Sequence, residues 1–294
     1  MNFERTHYPC SVCGSEQYTI LYKVKGFDIV QCKKCDFVFV NPRIKNGDLY
    51  KLYTDNYFTS QNEGYGYKDY ELTSHLRIKT FQKWIDKISP YLGTTKGSVL
   101  DIGSASGYFL ELMKEKGWDV EAIELDKQMI ATLKAKHIKV FEHPFEEFSS
   151  GKKYQLITMF DVLEHIPDLK TAFEKFQELL DEDGVVALIT PDFSSTQRKL
   201  FGKRWFQYKP QEHIQYFSPA TLAKAIEPYG LVLVHSSPSG QYADTGFLLD
   251  RLDRYNFKFL KTIASGLVKL FGLKNRYWYL DTGSFFAILK KKKK

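Results

Sequence analysis

Two groups of residues in this 294-residue sequence have types and spacing suited to chemistry. The first is Asp101-Ile102-Gly103-Ser104-Ala105-Ser106-Gly107, which follows apolar Val99-Leu100 and precedes a helix-forming run. Small residues let backbone approach a ligand closely, and a helix N-terminus offers unpaired N–H groups to an anionic group. Glu124, followed by Leu125, ends the next apolar run, 23 residues after Asp101. A carboxylate there accepts hydrogen bonds from both hydroxyls of a ribose, so the combination predicts a nucleoside-bearing cofactor. The G-x-G-x-x-G spacing of nicotinamide enzymes does not fit this loop. The second group is Cys10-x-x-Cys13 and Cys32-x-x-Cys35, two pairs separated by 18 residues. Four such thiolates can surround Zn2+ tetrahedrally, and with every position a cysteine no site stays open for a catalytic water. The zinc is therefore predicted to be structural, stapling a module too small for its own core.

Positioning these residues requires an α/β frame. Strands are predicted at 98–102, 119–123, 138–141, 154–160, 185–190, 230–235 and 284–289. Helices are predicted near 107–116, 127–136, 168–180 and 219–228, an alternation that gives parallel βαβ units. The fold class is a doubly wound, seven-stranded, mostly parallel sheet with a small N-terminal zinc-binding module. Residues 1–45 form the zinc ribbon, 46–96 a helical lid or linker, and 97–294 the main domain with an insertion at 240–283. Leu72, Leu76, Ile78, Phe81, Ile85 and Ile88 give the linker its helical period. Tyr53, Tyr57, Phe58, Tyr65, Tyr67 and Tyr70 make either a lid over the cofactor or a packing surface. Composition is that of a folded protein, 43% hydrophobic and 26% charged, which excludes wholesale disorder. Lys290–Lys294 supply five of the seven excess positive charges, leaving a body too near neutrality for a nucleic-acid footprint.

Downstream segments resemble class I S-adenosylmethionine-dependent methyltransferases of the small-molecule and sugar branch. Val162-Leu163-Glu164-His165-Ile166-Pro167-Asp168 matches the VLEH-hydrophobic-x-D signature of that branch, and Thr190-Pro191-Asp192 agrees with it. The zinc-ribbon prefix with Asn41-Pro42-Arg43 is similar to multidomain members. The resemblance implies S-adenosyl-L-methionine as cofactor, held by Asp101, Gly103, Ser104, Ala105, Gly107, Glu124, Leu125, Pro144, Phe145, Phe160 and Asp161. Asp101 would face the cofactor's ammonium group, and Pro144-Phe145 would bracket adenine. Ala105 stands where the commonest loop has glycine, which is tolerable if its φ stays negative.

Glu212-His213-Ile214-Gln215-Tyr216-Phe217 resembles an element of sugar methyltransferases. It implies His213 as general base supported by Glu212, or else a pair that caps the helix after Ser218. His165 either shares in catalysis or hydrogen-bonds the cofactor loop. Lys203-Arg204-Trp205-Phe206 offers cations and stacking surface to a phosphorylated or nucleotide-linked sugar, or else forms an ordinary surface helix. The substrate class is thus a small molecule or glycan precursor. Methylation of a lipid or aromatic compound such as a quinone precursor, and a non-catalytic cofactor-binding scaffold, stay open beside it.

The insertion carries Phe257, Leu260, Ile263, Ala264, Leu267, Val268, Leu270 and Phe271 against Lys258, Lys261, Ser265 and Lys269, the pattern of an amphipathic helix. Residues 257–271, with Lys290–Lys294, are expected either to touch anionic membrane or to pack on the body or a second subunit. Without a signal-like apolar run, the expected location is cytoplasmic, at the inner membrane face where such contact occurs.

Overall fold

In the computed structural model the described residues are 3–54, 73–93, 96–254, 258–273 and 276–293. The Tyr-rich segment from Tyr57 to Tyr70, together with Leu72 and Phe257, lies outside them. Strands β1 (Arg5–Thr6), β2 (Tyr18–Val24), β3 (Phe27–Cys32), β4 (Val38–Val40) and β5 (Arg43–Ile44) build the N-terminal region. Short helices α1 (Asn46–Leu49) and α2 (Lys51–Thr54) follow, then α3 (Ser74–Ile88).

The main domain continues with β6 (Ser98–Ile102), α4 (Tyr108–Glu115), β7 (Asp119–Ile123), α5 (Lys127–Ala135), β8 (Lys139–Phe141), β9 (Tyr154–Phe160), α6 (Leu169–Leu179) and β10 (Leu180–Pro191). After it come α7 (Thr196–Phe201), β11 (Gln215–Tyr216), α8 (Pro219–Ile226), β12 (Leu231–Asp244), α9 (Thr245–Arg254), α10 (Lys258–Leu270) and β13 (Tyr277–Lys291).

Seven strands form one sheet in the order β12-β13-β10-β9-β6-β7-β8. The run from β10 to β8 is parallel, and β13 lies antiparallel between β10 and β12. Alternation along each strand feeds two cores. Val99, Val185, Ala187 and Ile189 pack with Phe109 and Trp84 on one face. Leu100, Ile102, Val186 and Leu188 pack with Phe173 and Phe176 on the other. All the parallel strands end at the same edge, where loops after β6, β7, β9 and β10 meet, as ligand sites of doubly wound sheets do.

Two features depart from the sequence reading. The last hairpin is far longer than 230–235 and 284–289, because β12 and β13 stay paired from Leu231↔Lys291 to Asp244↔Tyr277. The non-strand insertion therefore shrinks to 245–276 and, among its described residues, contains two helices rather than one. In addition, the N-terminal sheet has the order β11-β4-β3-β2 and recruits its edge strand from the main domain, with Gln215↔Phe39 and Tyr216↔Val38 paired.

Candidate active site

β6 ends in the small-residue loop. The Gly103 amide donates to the Ile123 carbonyl at 2.8 Å, and Ser104 Oγ donates to the Asp101 carbonyl at 2.7 Å. Gly103 (φ +72°) and Gly107 (φ +78°) both adopt left-handed backbone, and a Cβ on Gly103 would lie 2.5 Å from Val162 Cγ2. Ala105 has φ +47°, contrary to the expectation of a negative value. Such a conformation costs roughly 1–2 kcal/mol for a residue with a Cβ. The Ala105 amide donates to Glu124 Oε2 at 2.7 Å, which holds the turn in place.

Glu124 is buried and braces both loops. Its Oε1 accepts from the amides of Leu125 (2.7 Å) and Asp126 (3.0 Å). Burial raises its pKa, and the three amide hydrogen bonds pull it back down. A carboxylate has about four acceptor positions, so one remains for a ribose hydroxyl. We expect Glu124→Ala to weaken cofactor binding about tenfold and to destabilise the fold by roughly 2 kcal/mol, because three amides lose their acceptor. Calorimetric titration and thermal unfolding would check both. Lost stability with unchanged affinity would make Glu124 a loop brace alone.

Asp101 is 4% exposed, and its Oδ1 accepts from Thr158 Oγ1 at 2.6 Å. Burial pushes its pKa up to about 7; the Thr158 bond opposes the rise and the neighbouring Glu124 charge adds to it. A buried carboxyl near half-ionisation is well matched to a cationic group arriving from outside.

On the side expected to hold adenine, Pro144 is half-buried but Phe145 is 2% exposed and packs on Phe176, with ring centroids 5.3 Å apart. Phe145 therefore belongs to the core and does not bracket a base. The residue after it does more: Glu146 Oε1 accepts from the Tyr50 hydroxyl at 2.5 Å, and its buried Oε2 has no hydrogen-bond partner among the described residues. Phe160 lies against Trp84 (4.9 Å) and Phe109 (5.2 Å) and stays partly exposed at the end of β9, where the cofactor is expected. Asp161 follows with φ +54°, its amide donating to the Ile189 carbonyl. Asp161 is exposed, yet desolvation by the surrounding protein raises its pKa, and the charges of Lys209 and Arg77 restrain the rise.

A second cluster forms at the same edge of the sheet, where Glu164 and His165 follow β9 and Thr190 lies near the end of β10. Glu164, fully buried, accepts from Thr190 Oγ1 at 2.8 Å through Oε2, while Oε1 has no hydrogen-bond partner among the described residues. His213 Nδ1 is 3.0 Å from the Gln207 carbonyl, and His165 Nδ1 is 3.1 Å from the Glu212 carbonyl. A carbonyl only accepts, so each Nδ1 carries the proton and His213 Nε2 is a lone-pair nitrogen. The two rings stand edge to face at 4.8 Å. One ligand-type atom from each of Glu164, His165 and His213 lies within 4.8 Å of the others. Burial drives both histidines toward the neutral form, His165 to about 3 and His213 well below its usual value; His165 and Lys209 push His213 further the same way. Burial also raises the pKa of Glu164 well above its usual value, and the Asp161 charge adds to the rise. Glu164 stands inside the VLEH signature, where the sequence gives no sign of a separate role; the Thr190 bond and an oxygen with no hydrogen-bond partner among the described residues mark it as a site residue.

Glu212, expected to support His213, contributes its backbone carbonyl to His165. Ser218 caps α8 with its own side chain and with Thr221, so the capping role does not fall to Glu212 or His213. Trp205 is 1% exposed against Tyr208 and Tyr216, which corrects its expected role as a stacking platform.

The His213 loop is tied to the N-terminal sheet. The Ile214 amide donates to the Glu164 carbonyl (3.0 Å) and the Val40 amide to the Ile214 carbonyl (2.9 Å). Arg43, buried over the Tyr8 ring, reaches the Pro167 carbonyl at 3.5 Å.

In that N-terminal region Cys10–Cys35 and Cys13–Cys32 have sulfurs 3.5 Å apart, and all four ligand atoms lie within 4.8 Å of one another. A tetrahedron with 2.3 Å zinc–sulfur bonds has edges of about 3.8 Å, so the sulfurs fit the ion. The two knuckles repeat one backbone pattern, with Gly14 N to Cys10 O and Asp36 N to Cys32 O.

Comparison with known proteins agrees with this arrangement. The profile of a methyltransferase domain matches residues 73–236. Ubiquinone biosynthesis O-methyltransferases of Acinetobacter baumannii (strain AYE) and Acinetobacter baylyi are 28% and 29% identical over 116 residues, 36% of this chain and 48% of each relative. The chain thus spans about half the length of the curated relatives it matches. A putative methyltransferase from Bacillus halodurans superposes with TM-score 0.50 at 13% identity, covering 71% of this chain and 99% of that one, a likeness of fold. The loop geometry, the seven-stranded sheet and a profile match over more than half of the sequence place this chain in the methyltransferase domain family.

Proposed function

We propose that this chain transfers the methyl group of S-adenosylmethionine to a hydroxyl of a sugar, carried on a nucleotide-sugar or a surface-glycan precursor, with a structural zinc in its N-terminal sheet. The observation that carries the reading is the Asp101–Gly107 loop after β6 together with a buried His213, whose neighbour Ile214 is hydrogen-bonded to the Glu164 carbonyl in the loop after the adjacent β9. The cradle fits the cofactor: Gly103 and Gly107 leave no room for side chains, Asp101 and Glu124 are buried carboxyls, and Glu146 Oε2 has no hydrogen-bond partner among the described residues. Bound there, S-adenosylmethionine supplies an activated methyl group.

Asp101 would meet the ammonium, Glu124 a ribose hydroxyl, and Glu146 Oε2 the exocyclic amine of adenine. His213 Nε2 takes the hydroxyl proton of the acceptor. A weak base suffices, because an alcohol oxygen becomes strongly acidic as it gains a methyl group. Glu164 acts as a positioning residue, since its backbone holds Ile214 and its carboxyl binds Thr190.

His213→Asn keeps a donor for the Gln207 carbonyl and removes the basic nitrogen. We expect turnover to fall about 100-fold while cofactor affinity stays within twofold, checked by labelled methyl transfer and calorimetry. Normal turnover would return His213 to a packing role. A phenolic quinone precursor is the second reading, favoured by the names of the curated relatives. Methyl incorporation into nucleotide-sugars but not into polyprenyl phenols separates the two.

A further inference from the structure

The helical insertion carries a surface that methyl transfer leaves unused. In α10, Phe259, Ile263, Leu267 and Leu270 recur at helical spacing, and together with Phe271 they face solvent. Phe259 is 77% exposed, Leu270 76% and Phe271 66%, whereas Ala264, Ser265 and Val268 on the opposite side are partly covered. Tyr277, Trp278 and Leu280, on the stalk of β13 that carries the insertion, are exposed too.

Charge identifies the partner. Residues 258–276 contain Lys258, Lys261, Lys269, Lys274 and Arg276 and no acidic residue. An apolar stripe within an unbroken basic segment complements an anionic lipid surface, with apolar side chains below the headgroups and cations among them. A second copy of the chain would bring two such basic segments together, which disfavours it. Thirteen residues of helix span about 20 Å, short of the hydrocarbon thickness, and among the described residues no helix is long and apolar enough to cross a membrane.

Topology sets the orientation. Pro191 at the end of β10 pairs with Ser284, so the β12–β13 pairs from Gly240↔Asp281 to Asp244↔Tyr277 run past the sheet at the edge where the Asp101–Gly107 loop and Glu164 lie. Lys290 pairs with Val232 at the far end of β13, 13 residues from Tyr277 or about 43 Å. The lysine tail and α10 therefore do not share one face. We propose that the chain docks on an anionic lipid surface through the Phe259–Phe271 stripe alone, turning its cofactor edge toward the lipid.

Co-sedimentation of the full chain with vesicles tests this, using phosphatidylcholine alone or with one-third phosphatidylglycerol. We expect at least tenfold stronger binding to the anionic vesicles. Phe259→Glu/Leu267→Glu should lose that gain while cofactor affinity is unchanged, and replacing Lys290–Lys294 with glutamine should retain most of it. Equal binding to both vesicles, or binding that the double variant keeps, overturns the proposal. So does binding lost with the lysine tail alone, and so does a lipid-free dimer that the double variant dissociates, since that would assign the stripe to a second copy.

Discussion

Replacing Cys10 by serine should lower turnover at least tenfold, although Cys10 is nowhere near the transferred methyl group. The substitution removes one of four sulfurs that together fit a zinc ion. Structural zinc contributes on the order of 10 kcal/mol to small modules of this kind. Without it the β2–β3–β4 sheet loses its clamp, and β4 can no longer hold β11 in register. Ile214, one residue past His213, then loses the amide of Val40. Cofactor affinity should change much less, because Asp101 and Glu124 hang from β6 and β7 of the other sheet. Metal analysis, thermal unfolding and single-turnover rates check the chain of effects. A metal-free variant with the parent's unfolding midpoint and rate would refute it.

Cofactor affinity should fall up to tenfold per pH unit below about 7 and level off above it. The origin is Asp101, whose burial raises its pKa to about 7 in the free protein. An ammonium beside it demands the ionised carboxylate, so below pH 7 binding must first expel a proton. The sign for stability is the reverse. With a folded pKa above the unfolded 3.8, this group favours folding at low pH, and that contribution is lost as pH rises through about 7. At full ionisation the loss is of order 4 kcal/mol. Asp101→Asn should therefore bind cofactor at least tenfold more weakly at pH 8, with a flat pH profile, yet unfold at higher temperature without ligand. Titrations between pH 5.5 and 8 decide it, and a parent protein with pH-independent affinity would remove Asp101 from contact with the ligand.

The parts legible in the sequence were those whose signal is local. Val99–Ile102, Asp119–Ile123 and Tyr154–Phe160 are short apolar runs bounded by turn residues, and they form strands at the expected positions. Long-range demands were not legible. Phe145 and Trp205 sit beside motif residues and read as ligand platforms, but the need to fill two cores turned them inward. Residues 236–244 have no apolar alternation, and include Pro238 and Gly240, yet they pair with β13 because an antiparallel hairpin needs only backbone partners. Ala105 reads as harmless because a backbone angle leaves no trace in composition; its left-handed φ rests on one carboxylate from a different strand. The position of His213 depends on a two-residue strand whose partner, Val38–Phe39, lies near the other end of the sequence.

The shared sheet β11-β4-β3-β2 also decides how this architecture can be recombined. A chimera cut at residue 45 would separate a ribbon from the strand that completes it, leaving the edge of β4 open to pairing with foreign chains. The ribbon and the segment from Lys209 to Phe217 are thus one heritable unit, discontinuous in sequence. A graft that exchanges the four-cysteine module must exchange that segment with it.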